Sequence, residues 1–212
     1  MPEYRWVTDA PIEDVQTAQR WDQLRQSFRI GLDANSARAP AAARARNDGA
    51  RALLDQMNFA ADCRNVAYLF MGAAVGLMQV EVPVERIPDR ARGQAPRELF
   101  KMFDDRPVLI REFATAAPGT GAGDALMEYA VNIAASTSHG SPMVSLMAHG
   151  GAVRRYEALG FVRIRGSLND GMIMLLKPAQ SQVWASVGGE WRVAARIGEQ
   201  YPVGRGDPGF RQ

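Results

Sequence analysis

The residues best suited to chemistry lie in one stretch, Pro118-Gly119-Thr120-Gly121-Ala122-Gly123. Glycines at alternate positions let a chain turn tightly and leave its N–H groups unshielded by side chains. Where such a turn opens a helix, the amides meet the positive end of the helix dipole, which favours an anion such as a pyrophosphate. A flexible glycine loop has the same composition, and spacing alone does not separate the two. Two other phosphate motifs are excluded by the residues present. A dinucleotide fingerprint needs glycine three residues after Gly121, where Asp124 stands. A P-loop closes on Gly-Lys-Ser/Thr, and the only lysines are Lys101 and Lys177.

The flanking pattern supplies the elements such a turn requires. Val108 to Phe113, just after Pro107, is mostly apolar with β-branched residues and predicts a buried strand. Ala125, Leu126, Tyr129, Ala130, Ile133 and Ala134 recur on one face of a helix. Met143–Ala148 predicts a further strand, and Val153–Leu159 a helix that Gly160 caps. Phe161–Arg165 and Met172–Leu176 then form a hairpin around Asn169-Asp170-Gly171. Upstream, Val66–Met71 and Val75–Val82 read as a hairpin around Gly72-Ala73-Ala74, with Gly76 a point of close approach.

Nearer the N-terminus, Tyr4–Thr8 reads as a first strand. Asp9 or Asp14 then caps a helix carrying Ile12, Val15, Ala18, Trp21, Leu24 and Phe28. Residues 33–50, rich in Ala and Arg with Pro40 and Gly49, read as a loop, partly helical. Arg38, Arg44, Arg46 and Arg51 make it locally basic, either as a solvated linker or as a surface for an acidic partner. Ala52, Leu53, Met57 and Ala60 suggest a short helix after it. Residues 83–107, with Leu99, Phe100 and Phe103, are too long for a hairpin turn and read as an insertion. From Ala179 a tail follows, with Trp184 and Trp191 in its first half and many glycines beyond. That first half could pack on the domain or on a second subunit, giving a homodimer; the last dozen residues read as mobile.

Composition narrows the classes. The 212 residues suffice for one well-buried domain with appendages, and 47% hydrophobic and 23% charged residues are ordinary for a globular protein. No apolar run reaches bilayer length, and no secretory pattern opens the chain, so no membrane partner is expected. A net charge of +2 argues against nucleic acid. Cys63 is the sole cysteine, which excludes an intrachain disulfide and a CxxC zinc site and points to a reducing, cytoplasmic setting.

Two segments carry a family resemblance. Gly119-Thr120-Gly121-Ala122-Gly123-Asp124-Ala125-Leu126 resembles the acyl-CoA pyrophosphate loop of the GNAT superfamily, Arg/Gln-Gly-x-Gly-x-Gly/Ala followed by x-x-Leu. Ala152-Val153-Arg154-Arg155-Tyr156-Glu157-Ala158-Leu159-Gly160-Phe161 resembles its Ala-x-x-x-Tyr-Glu-x-Leu-Gly-Phe segment, in the expected order and separation. The resemblance covers about residues 64–178. It departs at Pro118, where the family has Arg or Gln, and at His149, where Asn commonly precedes the second helix.

What the resemblance implies is an α/β fold of the α+β type. Its central sheet is mixed and mostly antiparallel, splayed between strands four and five (about 108–115 and 143–148) and flanked by helices. Residues 1–178 would form this domain, with 83–107 inserted and 179–212 as an extension. The implied activity is transfer of an acetyl or other short acyl group from acyl-CoA, as cosubstrate and without a metal, to an amine of a small molecule, peptide or protein. Phe113, Ala114, Thr115, Gly119, Thr120, Gly121, Ala122, Gly123, Asp124 and His149 fall at cofactor-binding positions. Tyr156 falls where a phenol protonates the departing thiolate, and Glu112 where a carboxylate could act as base, with Glu81 and His149 as runners-up. A salt bridge is the structural alternative for Glu112, and a helix–sheet seam for Tyr156. A non-catalytic acyl-CoA-binding or interaction module of the same fold is the second function class.

Overall fold

The computed structural model describes residues 12–37, 40–82, 107–116, 121–137, 141–148, 152–164 and 171–196. The segment Tyr4–Thr8, the insertion up to residue 106 and the tail beyond 196 lie outside these. Among the described residues seven strands form one mixed sheet, in the order β1 (Ile12–Val15), β2 (Arg64–Phe70), β3 (Ala73–Glu81), β4 (Val108–Thr115), β5 (Val144–Ala148), β7 (Met172–Leu176) and β6 (Val162–Arg163), and β8 (Trp184–Val187) and β9 (Glu190–Val193) form a second, two-stranded one. The described residues fall into two compact units, one drawn from those up to 79 and from 112–126, the other from those in 80–111 and 127–196.

In the first unit, β1 (Ile12–Val15) runs antiparallel to β2 (Arg64–Phe70), with Ile12 opposite Tyr68 and Val15 opposite Asn65. Ile12 and Val15 therefore belong to a strand, not to the helix on which their spacing placed them. They pair in register with β2, and the chain is still extended at Thr17. Helix α1 (Ala18–Ser36) starts there, capped by the Thr17 hydroxyl, which accepts the Arg20 N–H at 3.3 Å; neither Asp9 nor Asp14 is the cap. Trp21, Leu24, Phe28 and Leu32 are its buried stripe, as expected for the first three.

The segment 33–50, read as a loop that is partly helical, is helical over most of its described residues. α1 continues through Ser36, and α2 spans Ala41–Gln56, absorbing the short helix expected near residue 53. Alanine and arginine are strong helix formers, and Pro40 sits at the cap, where a proline costs no helical bond. Among its described side chains the buried ones of α2 are Asn47 and Leu54, with Met57 just past its end and Ala50 and Leu53 partly buried beside them. Polar contacts to α1 supplement them. Asn47 donates to the Ser36 hydroxyl at 2.8 Å, Arg51 pairs with Asp33 at 2.7 Å, and Arg29 pairs with Asp55. Such exposed pairs contribute at most about 1 kcal/mol each. The Trp21 indole closes the helix pair by donating to the Met57 carbonyl at 2.9 Å.

A two-residue turn at Met71-Gly72, with φ of 51° and 80°, joins β2 to β3 (Ala73–Glu81). Positive φ at both positions matches the twist of paired strands. Ala73 and Ala74 are thus strand residues rather than part of the turn.

In the second unit, β5 (Val144–Ala148) runs parallel to the start of β4 (Val108–Thr115), pairing Val108–Ile110 with Val144–Leu146. β7 (Met172–Leu176) is antiparallel to β5 along its length and to the short β6 (Val162–Arg163). The β4 ladder to β5 ends at Ile110 while the strand runs on to Thr115, which is the splay that the resemblance implied. Helix α3 (Ala122–Thr137) follows β4, and α4 (Val153–Ala158) follows β5.

The tail holds an element the sequence reading did not anticipate. β8 (Trp184–Val187) and β9 (Glu190–Val193) form a hairpin turning at Gly188-Gly189, with φ of 61° and 87°. Helix α3 covers the outer edge of β9. Asn132 accepts the Trp191 N–H at 2.7 Å and donates to the Trp191 carbonyl at 3.0 Å. Glu128, buried in α3, accepts the Val193 N–H at 2.9 Å.

Candidate active site

The glycine turn enters the described residues at Gly121, whose φ of 70° is open to glycine and strained for other residues. Its carbonyl accepts the first helical bond of α3, from the Ala125 N–H at 3.0 Å. The amides of Gly123 and Asp124 thus precede the helical ladder and have no acceptor within the helix. Asp124 lies in the first turn, where its own charge complements the dipole. Pro118, Gly119 and Thr120 lie outside the described residues.

Gly76 explains how α3 reaches the sheet. A β-carbon there would stand 2.8 Å from Leu126 Cδ1 and 3.2 Å from Ala122 Cβ. Only a residue without a side chain lets the first turn of α3 sit so low on β3, as its isolated position in the strand suggested.

Glu112, Phe113 and Thr115 are half-buried on β4, and Ala114 is buried. The first and last amides of this stretch face opposite neighbours. Val108 donates to Met143, toward β5, at 2.9 Å, and Ala116 donates to Val75, in β3, at 2.9 Å. Residues an even number apart send their amides to one edge of a regular strand. The direction therefore switches once after Ile110, within the strand or at the bend at Ala116. A switch of this kind re-aims backbone donors. Glu81, a runner-up for the base, is held in an ion pair with Arg111 at 2.7 Å.

Tyr156 stands in the second unit, on α4, and is 8% exposed. Burial raises its titration above the ordinary tyrosine range, opposed in part by Arg155. Gly160, with φ of 86°, lets the chain leave the helix in a Schellman turn. Phe161 donates to the Tyr156 carbonyl at 3.0 Å, and Gly160 to the Glu157 carbonyl at 2.9 Å. The Tyr156 and Phe161 rings meet edge to face at 5.7 Å, the apolar contact that commonly accompanies such a turn. His149 and His139 lie outside the described residues.

Among the described residues no three His, Cys, Asp or Glu gather as metal ligands, and no helix is long and apolar enough to cross a membrane. Packing of the tail's first half on the domain was one of the two expectations for it, but the sequence named none of its contacts with α3 and α4. The signal present was the pair Gly188-Gly189 between two tryptophan-bearing segments.

No protein-family model and no curated protein matches the chain. Solved structures to which it is similar include acetyltransferases of the GNAT family. One is a GCN5-related N-acetyltransferase from Rhodopseudomonas palustris, described as "Aminotransferase, Class-II", at 13% identity and a TM-score of 0.45, covering 82% of this chain and 99% of that one. Another is PaiA N-acetyltransferase from Thermoplasma acidophilum in complex with coenzyme A, at 12% identity and 0.43, covering 78% and 98%. Tetrahymena GCN5 is similar at 12% identity and 0.46, covering 79% and 94%. Scores this low say nothing of this chain's chemistry.

Proposed function

We propose that the chain is an N-acyltransferase that moves an acetyl or short acyl group from acyl-CoA to an amine. The observation that carries this reading is the seating of α3: a glycine turn opens the helix at Gly121, and Gly76 lets its first turn rest on β3. Backbone amides there, from Gly119 through Asp124, would hold the pyrophosphate at the positive end of the helix dipole. The N–H groups of Phe113–Thr115, beyond the last β5 partner, would hold the arm of the acyl-CoA and polarise the thioester carbonyl.

In the proposed reaction the neutral amine nitrogen attacks the thioester carbon, forming a C–N bond and an oxyanion. The C–S bond then breaks as the oxyanion collapses. Glu112 accepts the proton the nitrogen loses, and Tyr156 gives its own to the thiolate of CoA. Both side chains return to their starting states by exchange with solvent. The lone cysteine suits a reducing, cytoplasmic setting for a thiol product.

The test is calorimetric titration of acetyl-CoA into the protein and into Gly121→Val. A branched side chain at a position of φ 70° obstructs the anion and strains the turn. Affinity should fall at least tenfold, about 1.4 kcal/mol. Equal affinity in a folded variant would overturn the reading. Pro118, standing where the resembled family has Arg or Gln, favours a second reading, a binder of acyl-CoA without turnover. Tight acetyl-CoA binding with no thiol release across a panel of amines would establish that one instead.

A further inference from the structure

The β8–β9 hairpin is tied to two helices within its own unit. Trp184, 5% exposed, donates its indole N–H to the Leu159 carbonyl at 2.7 Å. Leu159 closes α4, and its carbonyl is among those a helix cannot satisfy itself. The carbonyls of Tyr156 and Glu157 are taken by the turn at Gly160, which leaves Leu159 to the tail. Ser181, just ahead of the hairpin, lies against Gly160, where a β-carbon would fall on its Oγ. At the other end Asn132 and Glu128 anchor Trp191 and Val193 to α3. The hairpin therefore holds the helix bearing Tyr156 against a fixed support.

We infer that Trp184 is a positioning residue for Tyr156: through the Leu159 carbonyl it fixes the last turn of α4, and with it the direction of the phenol. This rests on the proposed role of Tyr156 as the acid. Tyr156 is three residues before Leu159, and its ring packs edge-on against Phe161, two residues after it. A rotation of the Leu159 peptide moves both supports of the phenol together. Without the indole N–H, the buried Leu159 carbonyl lacks a donor, and the turn relaxes toward water. The tail, which lies beyond the motif-bearing region, thereby acts on the chemistry without touching a reactant.

Trp184→Phe keeps an aromatic ring and removes the donor. Three measurements on the full chain read the result: acetyl-CoA affinity, thiol release from acetyl-CoA with spermidine as amine, and tyrosinate absorbance during alkaline titration. The absorbance of Tyr156 is isolated by subtracting the matching protein that also carries Tyr156→Phe. Affinity should stay within about twofold of wild type and thiol release should fall at least tenfold. Tyr156 should titrate closer to an exposed tyrosine. Asn132→Ala, which loosens the same hairpin from α3, should move the titration the same way and serves where Trp184→Phe does not fold. A folded variant whose Tyr156 titrates as in wild type overturns the inference. Undiminished thiol release in Tyr156→Phe alone overturns the acid role instead, and the titration still decides whether Trp184 positions the ring.

Discussion

Gly76 of β3 lies directly beneath Leu126 of α3, so close that a β-carbon would approach the leucine methyl to 2.8 Å. Ala122, one turn earlier, is the second contact at 3.2 Å. Leu126 and Ala122 are both buried, so neither can swing into solvent.

Gly76→Val should therefore lift the first turn of α3. Overpacking of this kind costs about 1–3 kcal/mol. Thermal or urea unfolding measures that loss, and Leu126→Ala in the same chain should recover part of it by making room. Acetyl-CoA affinity should weaken in the single variant more than stability alone predicts, because the helix N-terminus moves. A fully stable Gly76→Val would show that the seam is looser than its geometry implies.

Tyr156→Phe removes one oxygen and little volume. Loss of the proposed general acid should lower turnover by about a hundredfold or more. Acetyl-CoA affinity should hold within about twofold, since the proposed anion cradle is made of backbone. Steady-state thiol release on any amine the protein accepts checks both numbers, and turnover within about twofold of wild type removes the role.

The same residue links stability to alkaline pH. Burial raises its titration in the folded chain, so the folded state binds that proton more tightly than the unfolded state. The resulting stabilisation is complete below about pH 10, the unfolded tyrosine value, and is lost as pH rises through the folded value. Tyr156→Phe should accordingly lose less stability than wild type between neutral and strongly alkaline pH. Urea unfolding across that range reads the difference, and parallel curves would remove the linkage.

At the other end of the scale, a bond from the Arg20 guanidinium, at 2.7 Å, holds Glu13 below its usual titration, against the opposing effect of burial. Folding then binds that proton less tightly, so the contribution is present above about pH 4.3, the unfolded glutamate value, and disappears as pH falls through the folded value. The pair is partly exposed, at 44% and 29%, which confines it to less than about 1 kcal/mol. Glu13→Gln should cost that much at pH 7 and nothing once the wild-type carboxyl is protonated, as urea midpoints at the two pH values would show.

What the sequence displayed was what local chemistry dictates. Gly76, Gly121 and Gly160 each mark a place where a side chain cannot fit or a φ cannot be negative, and glycine announces both. The helix after Gly121 was legible because its apolar positions repeat on one face. α2 was legible only in part, because few of its described side chains are buried and it is held to α1 by side-chain pairs that depend on a neighbour in space. The β8–β9 hairpin was hidden for a related reason. Gly188-Gly189 suits a tight turn as well as a mobile tail, and only the partners on α3 and α4 decide between them. Ile12 and Val15 fit a helix by spacing, yet β2 offers them a ladder that spacing cannot foresee.

The contacts from α3 to β9 carry a further consequence. Glu128 and Asn132 are four residues apart, about 6 Å along a helix, while Trp191 and Val193 are two apart, about 6.6 Å along a strand. One turn of helix and one double step of strand are thus nearly commensurate, and two side chains stand in for the rungs of a third strand. The mismatch, about 0.6 Å per repeat, accumulates too quickly for the imitation to extend far. A four-residue strand is about as long as such a surrogate can serve, and within that length it closes the edge of β9 to strands from other chains.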